Sequence, residues 1–493
     1  MEFYLNNAPV PFSPGQTILE ALRQQNIEIT APCGGKGRCG KCTVTVDGRQ
    51  VLSCMTPAEE GMHVFLAEQG DVTAVLGNQS VLSTEDGGTG YGLAVDIGTT
   101  TVAMHLMDLH TGRTLASLGQ ANAQRPYGAD VISRIQSYAE GHGEDLTRAI
   151  RNQLLTMGKA LCLQAGISLE EVTGMTVAAN TVMCHLLCGL DPAGIGRAPF
   201  TPESLFGGEF EIGLPFPVYV APAVSGYVGG DITADILACG LQEEKAPVLI
   251  MDVGTNGEMA LGCGNQFLCC STAAGPAFEG DQLACGMTAG QGAIDRVELV
   301  DGAVQCTVIG GGPARGICGS GLLDALAVML DLGIMDETGR MLDLEEDDIP
   351  DALGPLLGIR EERPVFYLRD GVYISQSDVR KVQLGKGAMA AGIQVLLQKS
   401  GLDFGEIREL LLAGGFGSFI RPESAARIGL IPRGLLEKTR AVGNTAALGA
   451  KMALASQKAR AQLADIQRSM TYLELSGMPE FNDAYIAEMM FPE

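Results

Sequence analysis

Two stretches of this 493-residue chain repeat one short plan. GLAVDIGTTTVAMHL spans 92–106 and VLIMDVGTNGEMALG spans 248–262; in each, an apolar run ends in Asp, turns through Gly-Thr and resumes as a second run. Apolar runs of this length bounded by a glycine turn read as strand hairpins. A single hairpin with an ordinary glycine turn says little. Two copies with one D-[IV]-G-T core predict a duplicated α/β unit and two similar lobes, because a repeated supersecondary element implies a repeated fold.

The rest of the chain is organised around that pair. Residues 1–77 alternate short apolar strands with turns and hold four cysteines in a tight group. Residues 78–91 (NQSVLSTEDGGTGY) are polar and glycine-rich, and read as a linker. Residues 92–457 carry strands, glycine turns and alanine-rich helices. A first lobe is predicted over 92–247, a second over 248–441 and a returning helix over 442–457. An acidic, Met-rich tail over 458–493 is expected to pack on them. With 46% hydrophobic and 18% charged residues, the chain has the means to build compact cores.

A formal net charge of −25 argues against non-specific nucleic-acid binding and against docking on anionic membranes. A phosphate ligand stays compatible with it where backbone N–H groups and a metal ion neutralise the phosphate locally. The first ten residues lack a basic-then-apolar signal pattern, and no run of about 18 apolar residues occurs, so the expected compartment is the cytoplasm. There the 14 cysteines are expected as thiols or metal ligands rather than disulfides.

Cys33, Cys39, Cys42 and Cys54 lie in APCGGKGRCGKCTVTV…LSC, a C-x5-C-x2-C loop with a fourth cysteine after eleven intervening residues. Thiolates from one wrapped loop, completed by a nearby strand, are the plant-type answer to holding a [2Fe–2S] cluster. Gly34, Gly35, Gly37 and Gly40 let such a loop pass close to the sulfurs. The first gap has five residues where the plant-type pattern has four, which alters the loop and not the ligand count. A zinc ribbon usually pairs two Cys-x2-Cys knuckles, and only one is present; zinc and free thiols are the competing readings. The remaining cysteines read as small buried apolar residues, with Cys318, in a glycine-rich turn, the one to watch. His185, on an apolar run, reads as a satisfied core residue before a metal ligand.

Asp96 and Asp252 end the two repeated strands, where a carboxylate can hold a hydrated Mg²⁺. Thr99, Thr100, Thr255 and Asn256 are placed in the turns to meet phosphate oxygens. ELLLAGGFGSFI (409–420) runs a strand into a bare Gly414-Gly415 turn that a flat base or ribose can approach. In VSGYVGGDITADIL (224–237), Asp231 falls in the first turn of a helix, where it either orients a water or the metal, or merely caps the helix. VGNTAALGAKMAL (442–454) opens a helix whose small residues suit close packing.

Taken in order, DIGTT, YVGGD, DVGTNGE, AGGFGS and GNTAALGA resemble the phosphate, connecting and adenosine elements of the actin, Hsp70 and sugar-kinase superfamily (ASKHA), and no P-loop G-x4-G-K-[ST] occurs. With the cysteine loop ahead of them, and with AANTVMCHLLCGLDP, AAGPAFEG, GICGSGLLD and the tail YLELSGMPEFNDAYIAEMMFP, the chain is similar to the reductive activators of corrinoid proteins. That resemblance implies an α+β β-grasp ferredoxin domain followed by a two-lobed, ribonuclease H-like ATPase. It implies a [2Fe–2S] cluster on the four N-terminal cysteines, and ATP and Mg²⁺ between the lobes. The implied task is to return a corrinoid from Co(II) to Co(I) in a methyltransferase system. The implied partners are a corrinoid protein, a reduced flavodoxin or ferredoxin as electron donor, and a second copy in a homodimer. The well-known activators carry a further small domain after the ferredoxin, for which 78–91 leaves no room, so a short form lacking the middle domain is expected. The rival readings are an activator of a 2-hydroxyacyl-CoA dehydratase, a small-molecule kinase and a redox-sensing nucleotide-binding scaffold.

Overall fold

The structure is a computed structural model and describes residues 1–5, 8–25, 27, 35, 37, 42–46, 49–65, 82, 88–345 and 347–493. At the N-terminus, strands Glu2–Leu5, Ala8–Pro11, Thr43–Val46, Arg49–Leu52 and His63–Phe65 form one sheet. Glu2–Leu5 lies antiparallel to its hairpin partner and parallel to His63–Phe65, so the two ends of the domain meet in mid-sheet. Helix Ile18–Gln24 crosses it, opened by a capping box between Thr17 and Glu20. Its apolar face, Ile18, Leu19 and Leu22, is buried with Phe3, Val44 and Val64. This is the β-grasp arrangement.

Beyond it stand two six-stranded sheets with one internal order. In the first, Tyr91–Ile97 pairs antiparallel with Thr101–Asp108, which pairs antiparallel with Arg113–Ala121. On its other side lie Val172–Ala179 and then Val218–Val220, both parallel. In the second, Val248–Val253 takes Gly257–Cys263 and Gln266–Thr272 antiparallel on one side, and Glu409–Ala413 and Thr439–Gly443 parallel on the other. Over these five strands this is one ribonuclease H-like sheet built twice, with the Asp-ending strand central each time; the sixth strands differ, Gly208–Phe210 lying outside Val218–Val220 and Met470–Tyr472 outside Gln266–Thr272. Tyr91 already belongs to a strand; of the residues read as linker, 78–81 and 83–87 lie outside the described residues.

The two sheets are joined by helices that leave the far parallel strand of each. Gly230–Ala238 follows Val218–Val220, and Thr445–Ala455 follows Thr439–Gly443. They touch along small residues: a Cβ on Gly449 would stand 2.3 Å from the Ala234 carbonyl oxygen. Ala94, Ala178, Ala234, Ala446 and Ala450 share one buried cluster. The small-residue run at 442–454 therefore sets how closely the lobes approach.

The C-terminal region contributes more than a covering. Helix Gln457–Ser469 packs against the interlobe helices, and Met470–Tyr472 adds a parallel edge strand beside Gln266–Thr272. Helix Pro479–Glu488 lies along the long Gln376–Ser400 helix. The last residues plug into that helix: the buried Lys386 ammonium donates to the Met490 carbonyl and sits 5.1 Å from the Phe491 ring centroid. Gln383 donates to Met489 O, and Arg427 to Pro492 O. Phe491 is 2% exposed. Phe491→Ala should therefore cost about 3–5 kcal/mol, as for other buried phenylalanines. Scanning calorimetry should show a lowered transition for this lobe, and an unchanged midpoint would show the plug to be superficial. Among the described residues no helix is long and apolar enough to cross a membrane.

Candidate nucleotide cleft and cysteine site

The duplicated turns face each other across a cleft between the lobes. Asp96, Thr99, Thr100, Asp231, Asp252, Thr255, Asn256, Gly414 and Gly415 all line it. Asp96 sits where Tyr91–Ile97 ends, and Asn444, at the N-cap of the Thr445–Ala455 helix, donates to its Oδ2 at 2.7 Å. Asn180 caps the Thr181–Cys188 helix with its carbonyl oxygen and donates through Nδ2 to Thr99 Oγ1 at 3.2 Å. One asparagine thus ties each lobe's helix start to the first phosphate turn. Thr100 and Thr255, from opposite lobes, stand 3.3 Å apart, and both hydroxyls donate to Glu279. Gly414 has φ +92°, and a Cβ there would lie 2.3 Å from Asp252 Oδ1, so only glycine lets this turn pass the carboxylate.

Several acids of this cleft escape sequence reasoning. Glu258 faces Asp252 across the second hairpin, accepts from Gly229 N–H at 3.1 Å and shares a hydrogen bond with Asp231. Asp235 lies one helical turn beyond Asp231 and accepts from the Thr445 hydroxyl at 2.6 Å. Asp231 serves both the helix start and the acid cluster: the N-cap residue is Gly229, but Asp231 Oδ1 accepts from Ile232 N–H at 3.0 Å in the first turn, and the carboxylate also hydrogen-bonds with Glu258.

Burial raises these acids. It carries Asp96 to about 7 against the opposing Asn444 bond, and Asp252 to about 8, with Asp231 and Asp96 adding like-charge repulsion. Asp235, Glu258 and Glu279 are pushed up for the same first reason. Carboxylates this close repel one another when ionised, and a bound cation would relieve that repulsion. Among the described residues no three Asp, Glu, His or Cys ligands converge on one metal point. Mg²⁺ is usually held by one or two carboxylates plus waters and substrate phosphates, and Asp96 and Asp252 could supply those carboxylates. The donor set is all hard oxygen.

At the N-terminus, the structure brings Cys42 and Cys54 together, Sγ to Sγ 3.2 Å, both buried. Cys33 and Cys39 lie outside the described residues. Gly35 and Gly37, the described glycines of the loop, both have positive φ. Ser53 is fully buried and its hydroxyl has no partner among the described residues, which leaves a donor for a sulfide acceptor. Convergent thiols with a spare buried donor fit an iron–sulfur cluster. Cys318 is not part of this group; it begins helix Gly319–Asp331 and lines the nucleotide cleft. His185 is a satisfied core residue: one ring nitrogen meets Thr181 O at 2.7 Å and the other accepts from Glu203 N–H at 3.1 Å.

Residues 246–493 match the model described as the C-terminal domain of RACo, the ASKHA domain. The chain belongs to the RACo family. Residues 91–244 match the RACo middle region, and 1–68 a 2Fe–2S iron–sulfur cluster binding domain. The expected absence of a middle domain is therefore wrong: the family's middle region is the stretch that carries the first duplicated sheet. The polar 78–91 segment drew attention to a gap before the first repeat, whereas the middle region begins with the repeat itself. Among curated relatives of this RACo chain, the corrinoid activation enzyme RamQ of Eubacterium limosum is 28% identical over 588 residues, covering 99% of this chain and 98% of that protein. The [Co(II) methylated amine-specific corrinoid protein] reductase of Methanosarcina barkeri is 25% identical, covering 81% of this chain and 77% of its own. A solved reductive activator for a corrinoid, iron–sulfur protein superposes with a TM-score of 0.76 at 29% identity, covering 100% of this chain and 98% of the other.

Proposed function

We propose that this chain is an ATP-dependent reductive activator of a corrinoid protein, delivering a low-potential electron that converts inactive Co(II) to Co(I) in a methyltransferase system. One observation carries the reading: a converging cysteine pair and an acid-floored cleft share one chain, which aligns end to end with a reductive activator for a corrinoid protein. A [2Fe–2S] cluster on Cys33, Cys39, Cys42 and Cys54 supplies a one-electron carrier when bound. Mg²⁺, when bound at Asp96 and Asp252, offsets the phosphate charge. The chain's own groups do the rest. Thr99, Thr100, Thr255 and Asn256 hold phosphate oxygens, Gly414 and Gly415 admit the adenosine, and Asp231 orients the attacking water.

Closure of the two sheets about the interlobe helices is the motion by which nucleotide changes the grip on the partner. A coupling of about 3 kcal/mol, at the upper end of allosteric effects, shifts a one-electron poise by about 130 mV. A reduced flavodoxin or ferredoxin is the donor that suits a cluster of this kind, a homodimer is the proposed assembly, and the cytoplasm the proposed site of action. The test is anaerobic: purified protein, reductant and a Co(II) corrinoid protein, with Co(I) absorption followed with and without ATP. ATP-dependent growth of the Co(I) band is expected. No band with several corrinoid proteins of methyltransferase systems would overturn the reading.

A further inference from the structure

The turn 122–128 touches both functional ends of the chain. On one side it braces the first phosphate turn: Asn122 N–H donates to Thr100 O, and Asn122 Nδ2 to Gly98 O, each at 2.8 Å. The fully buried Arg134 clamps the same two pieces, donating to Thr99 O and, at 3.1 Å, to Gly128 O. Arg125 pairs with Asp281 at 3.4 Å, both largely buried. Asp281 follows closely on Glu279, the acceptor shared by Thr100 and Thr255.

On the other side, the same turn seats the N-terminal domain. Arg23, at the end of helix Ile18–Gln24, donates to the Pro126 carbonyl and places its guanidinium 5.2 Å from the Tyr127 ring centroid. Arg23, Ile27, Pro126 and Tyr127 line one groove between the two domains.

We infer that the 122–128 turn is a nucleotide-sensitive seat for the [2Fe–2S] domain. This rests on the cleft being a nucleotide site, as proposed above. Phosphate oxygens arriving at Thr100 and Thr255 compete with Glu279 for the same two hydroxyls. A displaced Glu279 bears on Asp281 and hence on its pair with Arg125, the residue next to Pro126. Phosphate on the first turn also bears on Asn122 directly, through the Gly98 and Thr100 carbonyls. Both routes end where Arg23 docks. Nucleotide occupancy therefore alters how firmly the cluster domain is held against the body, and linkage requires the held domain to alter nucleotide affinity by the same factor.

Hydrogen–deuterium exchange on the anaerobic, cluster-loaded full chain tests this. Peptides over 96–100 and 252–256 report whether ATP binds. Peptides over 18–25 report the seat from the cluster-domain side. In the parent, ATP should change exchange at 18–25 by about fivefold or more, the lower end of ordinary allosteric coupling. In Arg23→Ala, and in Tyr127→Leu from the other side, that response should vanish while protection at 96–100 persists and the cluster spectrum is unchanged. Arg23→Lys should restore part of it. An 18–25 helix indifferent to ATP in the parent, or one still responding in Arg23→Ala, would overturn the seat while leaving the nucleotide site intact. Lack of protection at 96–100 and 252–256 would sink the nucleotide reading and the seat together.

Discussion

Asp252→Asn is expected to slow ATP hydrolysis by about 10²–10³-fold and, at the same time, to raise the stability of the nucleotide-free protein above pH 7. The two effects have one cause. Asp252 is buried among Asp96, Asp231, Asp235 and Glu258, and its carboxyl is raised from 3.8 to about 8, first by burial and then by the charges of Asp231 and Asp96. Between those two values the folded chain retains a proton that the unfolded chain has released, so stability falls as pH rises from about 4 through 8. Each tenfold weakening of an acid corresponds to about 1.4 kcal/mol, which makes ionising Asp252 in the empty cleft expensive. An amide has no proton to lose, and the variant escapes that decline. Below pH 4 the difference should disappear.

Hydrolysis goes the other way on the proposed reading, in which the ionised Asp252 carboxylate would hold Mg²⁺ against the phosphates. Removing one preorganised charge from a dry site costs about 10²–10³-fold in turnover. Steady-state phosphate release measures the loss, and thermal unfolding at pH 5 and pH 8 without nucleotide measures the gain. A variant that hydrolyses ATP normally, or one that melts below the parent at pH 8, would contradict this account of Asp252.

How much of this was legible beforehand depends on whether the signal was local. Asp96 and Asp252 stood out because strand, Asp, Gly and Thr are contiguous, and their repetition announced the second lobe. Gly414 and Gly415 were legible for the same reason. Glu258 was not, although it lies in the same hairpin: in sequence it is one charged residue opening an apolar strand. Only the antiparallel register, pairing it with Asp252, turns it into the cleft. Glu279 was further out of reach, since it arrives from a 3-10 turn and becomes an acceptor only when both lobes present their threonines to it. Asn180 and Asn444 carried a usable sign, an Asn opening a helix in AANT and GNT, but capping alone does not say that the free amide end points at Thr99 or Asp96. The edge strand Met470–Tyr472 was hidden because its three residues acquire strand character only from their neighbour, Gln266–Thr272.

Cys42→Ala is expected to remove the cluster and with it all Co(I) formation, while ATP hydrolysis survives. Cys42 is 1% exposed and directly precedes the Thr43–Val46 strand, and Cys54 is 7% exposed beyond Arg49–Leu52, the hairpin partner of that strand. The hairpin therefore fixes the two thiols relative to each other before any iron arrives, and Ser53 N–H donating to Cys42 O at 2.9 Å pins them further. Loss of one such preset ligand leaves a cluster with an open position, and alanine supplies no donor to fill it. The packing cost of losing one sulfur is small beside that, because free cysteine behaves as a small apolar residue. Anaerobic reconstitution followed by iron analysis and visible spectroscopy reads the cluster, and phosphate release reads the distant cleft. Cys318→Ala is the matched control: it touches the cleft and not the cysteine group, so it should keep its iron and colour. Full iron content in Cys42→Ala, or iron lost in Cys318→Ala, would show that the cluster is held by a different set of sulfurs.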